Sequence, residues 1–85
     1  MKLVVYSPNN VAYKKVEELA KMIYDLVNAD DLFVSKDKLS VAKVSALVKR
    51  GAMVVSVKKD DIDFEGTVPS DKVITHIKEW YLNTK

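Results

Sequence analysis

Pro8 to Asn28 reads PNNVAYKKVEELAKMIYDLVN, and this stretch sets the frame for the rest of the chain. Ala12, Val16, Leu19, Ala20, Ile23 and Val27 recur at the helical period and make one apolar stripe. Lys14, Lys15, Glu17, Glu18, Lys21 and Asp25 fall outside it. The spacing predicts one long amphipathic helix, roughly 25 Å from end to end. Pro8, Asn9 and Asn10 form a turn in front of it, where an asparagine side chain can accept from the first free N–H groups.

Moving outward, Leu3-Val4-Val5-Tyr6 reads as a first strand. After the helix, Ala29-Asp30-Asp31 is a break and Leu32-Phe33-Val34-Ser35 a second strand. Lys36-Asp37-Lys38 reads as a polar turn and Leu39-Ser40-Val41-Ala42 as a third strand, which together suggest a hairpin. Val44, Leu47 and Val48 have helical spacing, with Lys49 and Arg50 closing a short helix and Gly51 at C′. Ala52 to Val57, AMVVSV, is a fourth strand and Lys58 to Val68 a polar loop. Pro69-Ser70-Asp71 opens a last helix that buries Val73, Ile74, Ile77, Trp80 and Tyr81. The order is βαββαβα. It predicts an α+β fold, an open-faced two-layer sandwich of a four-stranded antiparallel sheet with helices on one face.

The chain has 85 residues, 48% of them hydrophobic, which suits a single domain spanning residues 1–85 with one core. It has no cysteine, which removes thiol chemistry and cysteine-based metal sites and fits a reducing, cytoplasmic location. No apolar run is long enough to cross a membrane, and the first residues do not have the pattern of a signal peptide. The net charge of +2 is close to balance and points to no particular partner.

Ser7-Pro8-Asn9-Asn10-Val11-Ala12-Tyr13-Lys14-Lys15 resembles, without a gap, the turn A-P-N-G-L-H-x-R-P of the histidine-containing phosphocarrier (HPr) family of the bacterial sugar phosphotransferase system. Asp37 to Ser45, DKLSVAKVS, resembles that family's G-K-x-x-x-x-K-S-x. The resemblance implies the HPr-like sandwich and a partner-docking patch on the second helix. The departures bear on chemistry. The family's phosphorylated histidine falls on Ala12, its partner arginine on Lys14 and its proline on Lys15. A phosphocarrier needs a nucleophilic ring at a helix start, and Ala12 offers a methyl group. The regulatory serine falls on Val44, with Ser45 one residue away.

The remaining candidates have ordinary readings. His76 is a lone histidine, which suits a surface or boundary position rather than a metal site. Asp60-Asp61-Ile62-Asp63-Phe64-Glu65-Gly66 lacks the ligand spacing of an EF-hand and reads as a solvated acidic loop. RNA-binding sheets share a βαββαβ order but need stacking aromatics on the third strand, and Leu39 to Ala42 has none. No cofactor or metal is expected, and the chain is not expected to be an enzyme. The leading expectation is a non-catalytic HPr-like module that binds a protein partner through the ends of helices one and two. Its candidate residues are Asn9, Asn10, Ala12, Lys14, Lys15, Leu47, Val48 and Arg50, with weak anion binding possible at the first helix start. A phosphocarrier component and a small nucleic-acid-binding domain are the alternatives.

Overall fold

A computed structural model describes residues 1–9 and 11–83. The chain is α+β, with a four-stranded sheet and helices in the order β1 (Lys2–Tyr6), α1 (Tyr13–Val27), β2 (Asp31–Val34), α2 (Val41–Lys49), β3 (Met53–Val57), β4 (Ile62–Gly66) and α3 (Asp71–Asn83). The strands lie in the order β2-β1-β3-β4. β1 pairs in parallel with both β2 and β3, and only β3 and β4 are antiparallel. The sheet is therefore mixed, which corrects the antiparallel expectation.

Two short stretches account for the change. Leu39 to Ala42 is not a strand. Ser40, in extended geometry at φ −71° and ψ 156°, caps α2 by accepting the Lys43 N–H at 3.2 Å. A four-residue alternation was too short a signal against a serine placed three residues before a free N–H. With that strand gone, α2 becomes a crossover between β2 and β3, and a crossover helix requires parallel strands. Conversely, Lys58 to Val68 is not all loop. Ile62 and Phe64 point to the core between Asp63 and Glu65, so IDFEG is a half-buried edge strand. The Lys58 N–H reaches the Asp61 carbonyl at 2.8 Å to close its hairpin.

Helices also lie on both faces of the sheet, not on one. Leu3, Val5, Met53, Val55 and Val57 pack against Val16, Leu19, Ala20 and Ile23 of α1 and Ile77 and Tyr81 of α3. Val4, Tyr6 and Val54 face the other way, onto Leu39 and Val44 with α2. Right-handed crossovers explain the split. The chain steps from β1 to its neighbour β2, then returns across β1 to β3, and the reversal sends α1 and α2 to opposite faces. β3 is buried along its whole length, as a strand covered on both sides must be.

α1 buries Val16, Leu19, Ala20 and Ile23 of the stripe read from the sequence but begins at Tyr13, with Val27 half-buried and Ala12 exposed. Ala12 is its N-cap residue and provides no side-chain hydrogen bond. The turn before it is organised by Ser7 instead. Its hydroxyl donates to the Val57 carbonyl at 2.7 Å and accepts from the N–H groups of Asn9 at 3.4 Å and Val11 at 3.2 Å. One side chain thus ties the end of β1 to the end of β3 and shapes the turn that follows. α1 stops at Asn28, which adopts a left-handed conformation at φ 53°. Gly66 ends β4 at φ +78°, where an added Cβ would lie 2.3 Å from the Ala52 carbonyl oxygen.

Candidate functional site

α1 and α3 share the cover of one face of the sheet, whereas α2 has the other face to itself and is only nine residues long. Cover on that side is incomplete. A groove of about 350 Å³ runs along the flank of α2. One wall is the helical stripe Val41, Val44, Ser45 and Val48, at the i, i+3, i+4, i+7 spacing of a single helix side. Tyr6 and Leu39 are buried at its base, Glu65 of β4 stands opposite, and Pro8 and Lys38 lie at the end where β1 finishes. Val41 is 87% exposed, an unusual position for a valine beside an apolar groove.

The polar groups here converge from neighbouring strands. Tyr6 and Ser56 are register partners on β1 and β3, and the Ser56 hydroxyl bonds the Tyr6 phenol. Burial first, and the Glu65 carboxylate second, push the phenol above its ordinary value of 10.0, and Asp63 adds to this. The Ser56 hydrogen bond first, and Lys58 second, oppose the shift, and Lys58 also forms an ion pair with Asp63. The phenol therefore holds its proton as a hydrogen-bonding group at the base of the groove. The groove is an apolar slot with a neutral hydroxyl inside and a carboxylate on the rim, the composition of a binding surface.

The residues singled out from the sequence fall into two separate groups. Asn9, Ala12 and Lys14 are exposed, and Lys15 is half-buried with its ammonium 5.2 Å from the Tyr81 ring. They surround the start of α1, at the end of the sheet where Ser7 meets Val57. Asn10 lies outside the described residues. Leu47 and Val48 are half-buried against the α2-side core, and Arg50 is exposed at the C-cap of α2. The Leu47 carbonyl accepts from Ala52, and Val48 approaches Gly66, which pairs with Met53 at the start of β3. The two groups thus occupy opposite ends and opposite faces of the sheet and do not form one surface. Among the described candidates only Val48 lines the groove. Asn9 does not cap α1, because Ser7 takes over the turn.

Lys14 and Lys15 in the first turn of α1, Lys36 and Lys38 after β2, and Lys58 and Lys59 after β3 all fall toward the end of the sheet where β1 and β3 finish. Asp37, Asp60 and Asp61 are interleaved with them, and Asp61 pairs with Lys78 at 3.3 Å. The Ile62 N–H first, then Lys78, hold the Asp61 carboxyl below its ordinary value. His76 is exposed on α3. Among the described residues no group of His, Cys, Asp and Glu is arranged to hold a metal ion, and no helix is long and apolar enough to cross a membrane.

Tyr6, Leu39, Val41 and Glu65 are the groove residues to which the sequence assigned no site role, and Ser45 figures there only as a neighbour of the regulatory-serine position. Val41 carried the only usable signal, since an apolar residue directly after a capping serine sits at the exposed first position of a helix. Glu65 had none, because its role depends on β4 being a strand.

Comparison of the chain with family models, with curated proteins and with solved structures finds no significant match in any of the three.

Proposed function

We propose that this protein is a non-catalytic interaction module that docks a protein partner in the groove between α2 and β4. The observation that carries the reading is the groove itself, where the α2 stripe leaves Val41 exposed and Val48 half-buried opposite the Glu65 carboxylate. Apolar stripes of this kind pay a solvation cost when left bare, and a partner that covers them recovers it. The absence of chemistry is part of the proposal and has support of its own. The Ser7 hydroxyl is occupied by structural hydrogen bonds, and the Tyr6 phenol is shifted away from the nucleophilic phenolate. Ala12 sets a methyl group at the start of α1. Incubation with the phosphoenolpyruvate-dependent phosphotransferase enzyme is accordingly expected to give no phosphoprotein.

The resemblance to the phosphocarrier family implied βαββαβα order and helices on one face, and the fold departs from both. What remains of that expectation is docking on α2, moved from its C-terminal end to its flank.

A photo-crosslinking amino acid placed at Ser45 tests the reading in cells that make the protein, with the same group at exposed Thr75 of α3 as the control. A discrete protein adduct from Ser45 and none from Thr75 is the expected outcome. Adducts from neither position, or equal adducts from both, would overturn it.

A further inference from the structure

β4 is an edge of the sheet, and its register identifies which backbone groups are open. The Lys58 N–H bonds the Asp61 carbonyl and the Thr67 N–H bonds the Ala52 carbonyl. In an antiparallel pair the bonded positions alternate, so Ser56–Asp63 and Val54–Glu65 are also bonded pairs. Ile62, Phe64 and Gly66 therefore turn their backbone groups outward. The Asp61 carboxylate takes the Ile62 N–H, which leaves both groups of Phe64 and Gly66 for a neighbour. No proline or lysine interrupts the strand, and its register with β3 runs unbroken from Val57–Ile62 to Met53–Gly66.

The side chains select what can pair there. Phe64 packs with the α1–α3 core, so Asp63 and Glu65 project on the face that carries α2, and Glu65 is also the outer wall of the groove. Residues directly opposite on adjacent strands lie close enough that like charges repel and unlike charges attract. A second copy of β4 would bring acid against acid in either direction, so this edge disfavours self-pairing. The other edge differs. At β2 the Asp31 carboxylate takes the Leu32 N–H at 2.9 Å, and Lys2 and Lys43 lie over exposed Phe33 at 5.9 and 6.0 Å.

We propose that the partner segment docks as an extended strand antiparallel to the free edge of β4, with a basic side chain opposite Glu65, Asp63 being already paired with Lys58. This rests on the reading of the groove as a docking surface and specifies the form of its occupant. Main-chain bonds to Phe64 and Gly66 supply the pairing, and the Glu65 carboxylate supplies the choice of partner. In that antiparallel arrangement the residue opposite Phe64 shares its face and points its own N–H at β4.

The probe is the capped peptide KVKVKVK, titrated into the labelled protein and followed by backbone amide shifts. Binding is expected to perturb Ile62 to Gly66 and to slow exchange of the Phe64 amide. Glu65→Lys is expected to weaken it roughly tenfold, as loss of one charge pair does. The acidic peptide EVEVEVE is expected to bind at least that much more weakly. A peptide N-methylated at its valines loses the donors that face β4 and is expected not to bind. Full binding by the N-methylated peptide with shifts in Val41, Val44 and Val48 would leave groove docking standing and overturn strand addition. No binding of KVKVKVK, equal binding of EVEVEVE, or perturbations centred on β2 would each overturn it as well.

Discussion

Tyr6 shows how a residue named only as part of a strand becomes the base of a site. Strand alternation turns Leu3 and Val5 to one face and Val4 and Tyr6 to the other, and α2 covers Tyr6 only in part. Its phenol and that of Tyr81, which donates to the Lys58 carbonyl, are both held above 10.0, chiefly by burial. The sign of the pH dependence follows. In the unfolded chain these groups lose their protons near pH 10, while the folded chain retains them to higher pH. Their contribution is constant below pH 10 and is lost as pH rises from there through the raised values. Urea midpoints are expected to be level from pH 8 to 9.5 and to fall above pH 10. Replacing both tyrosines with Phe is expected to flatten that fall, whatever the doubly substituted protein's stability at pH 8.

At the scale of elements, what was legible depended on length and on who competes for the backbone. The α1 stripe runs for four turns, and no local alternative could displace it. Its buried members are Val16, Leu19, Ala20 and Ile23, as read from the spacing. β1, β2 and β3 were legible because each holds a continuous apolar run, and α3 because Ile77 and Tyr81 keep the helical period. α2 was read too short. Leu39 and Val41 alternate with Ser40 and Ala42 as a strand would, yet the Ser40 hydroxyl can satisfy a helix N–H and no strand partner offered as much. β4 was missed because acids at alternate positions look like a loop unless the strand beside it is known. The candidate site was legible only at Val48, since the groove joins residues from β1, α2 and β4 that no sequence window contains. A proline scan checks the new boundary. Ser40 already has the extended geometry that a following proline requires, and Val41 is the first helical position, where the missing N–H costs little. Val41→Pro is expected to shift stability by less than about 1 kcal/mol, while Ala46→Pro in the helix interior is expected to cost about 3 kcal/mol or more. Equal losses in chemical denaturation would mean that residues 39–42 pair as a strand.

For the molecule as a whole, the two-faced cover of the sheet both stabilises the fold and leaves it unfinished. The α1–α3 side closes over Leu3, Val5, Val55 and Val57, which are fully buried. Val16 is buried on that side, and Val16→Asp is expected to destabilise the protein strongly, because it places a carboxylate in the apolar cluster of Leu19, Ala20 and Ile23. The α2 side keeps an open flank, and that flank is the surface to which function is assigned. Val41 separates the two roles of an apolar residue. At 87% exposure it contributes little to the fold, and an acid at the first position of a helix suits the helix dipole. The most direct measurement is therefore the Val41→Asp protein carrying the crosslinker at Ser45, with its denaturation midpoint and its adduct yield taken side by side. The expected result is an unchanged or slightly raised midpoint with the adduct reduced at least tenfold, and a full-yield adduct at that same midpoint would show that the groove beside α2 is not where the partner binds.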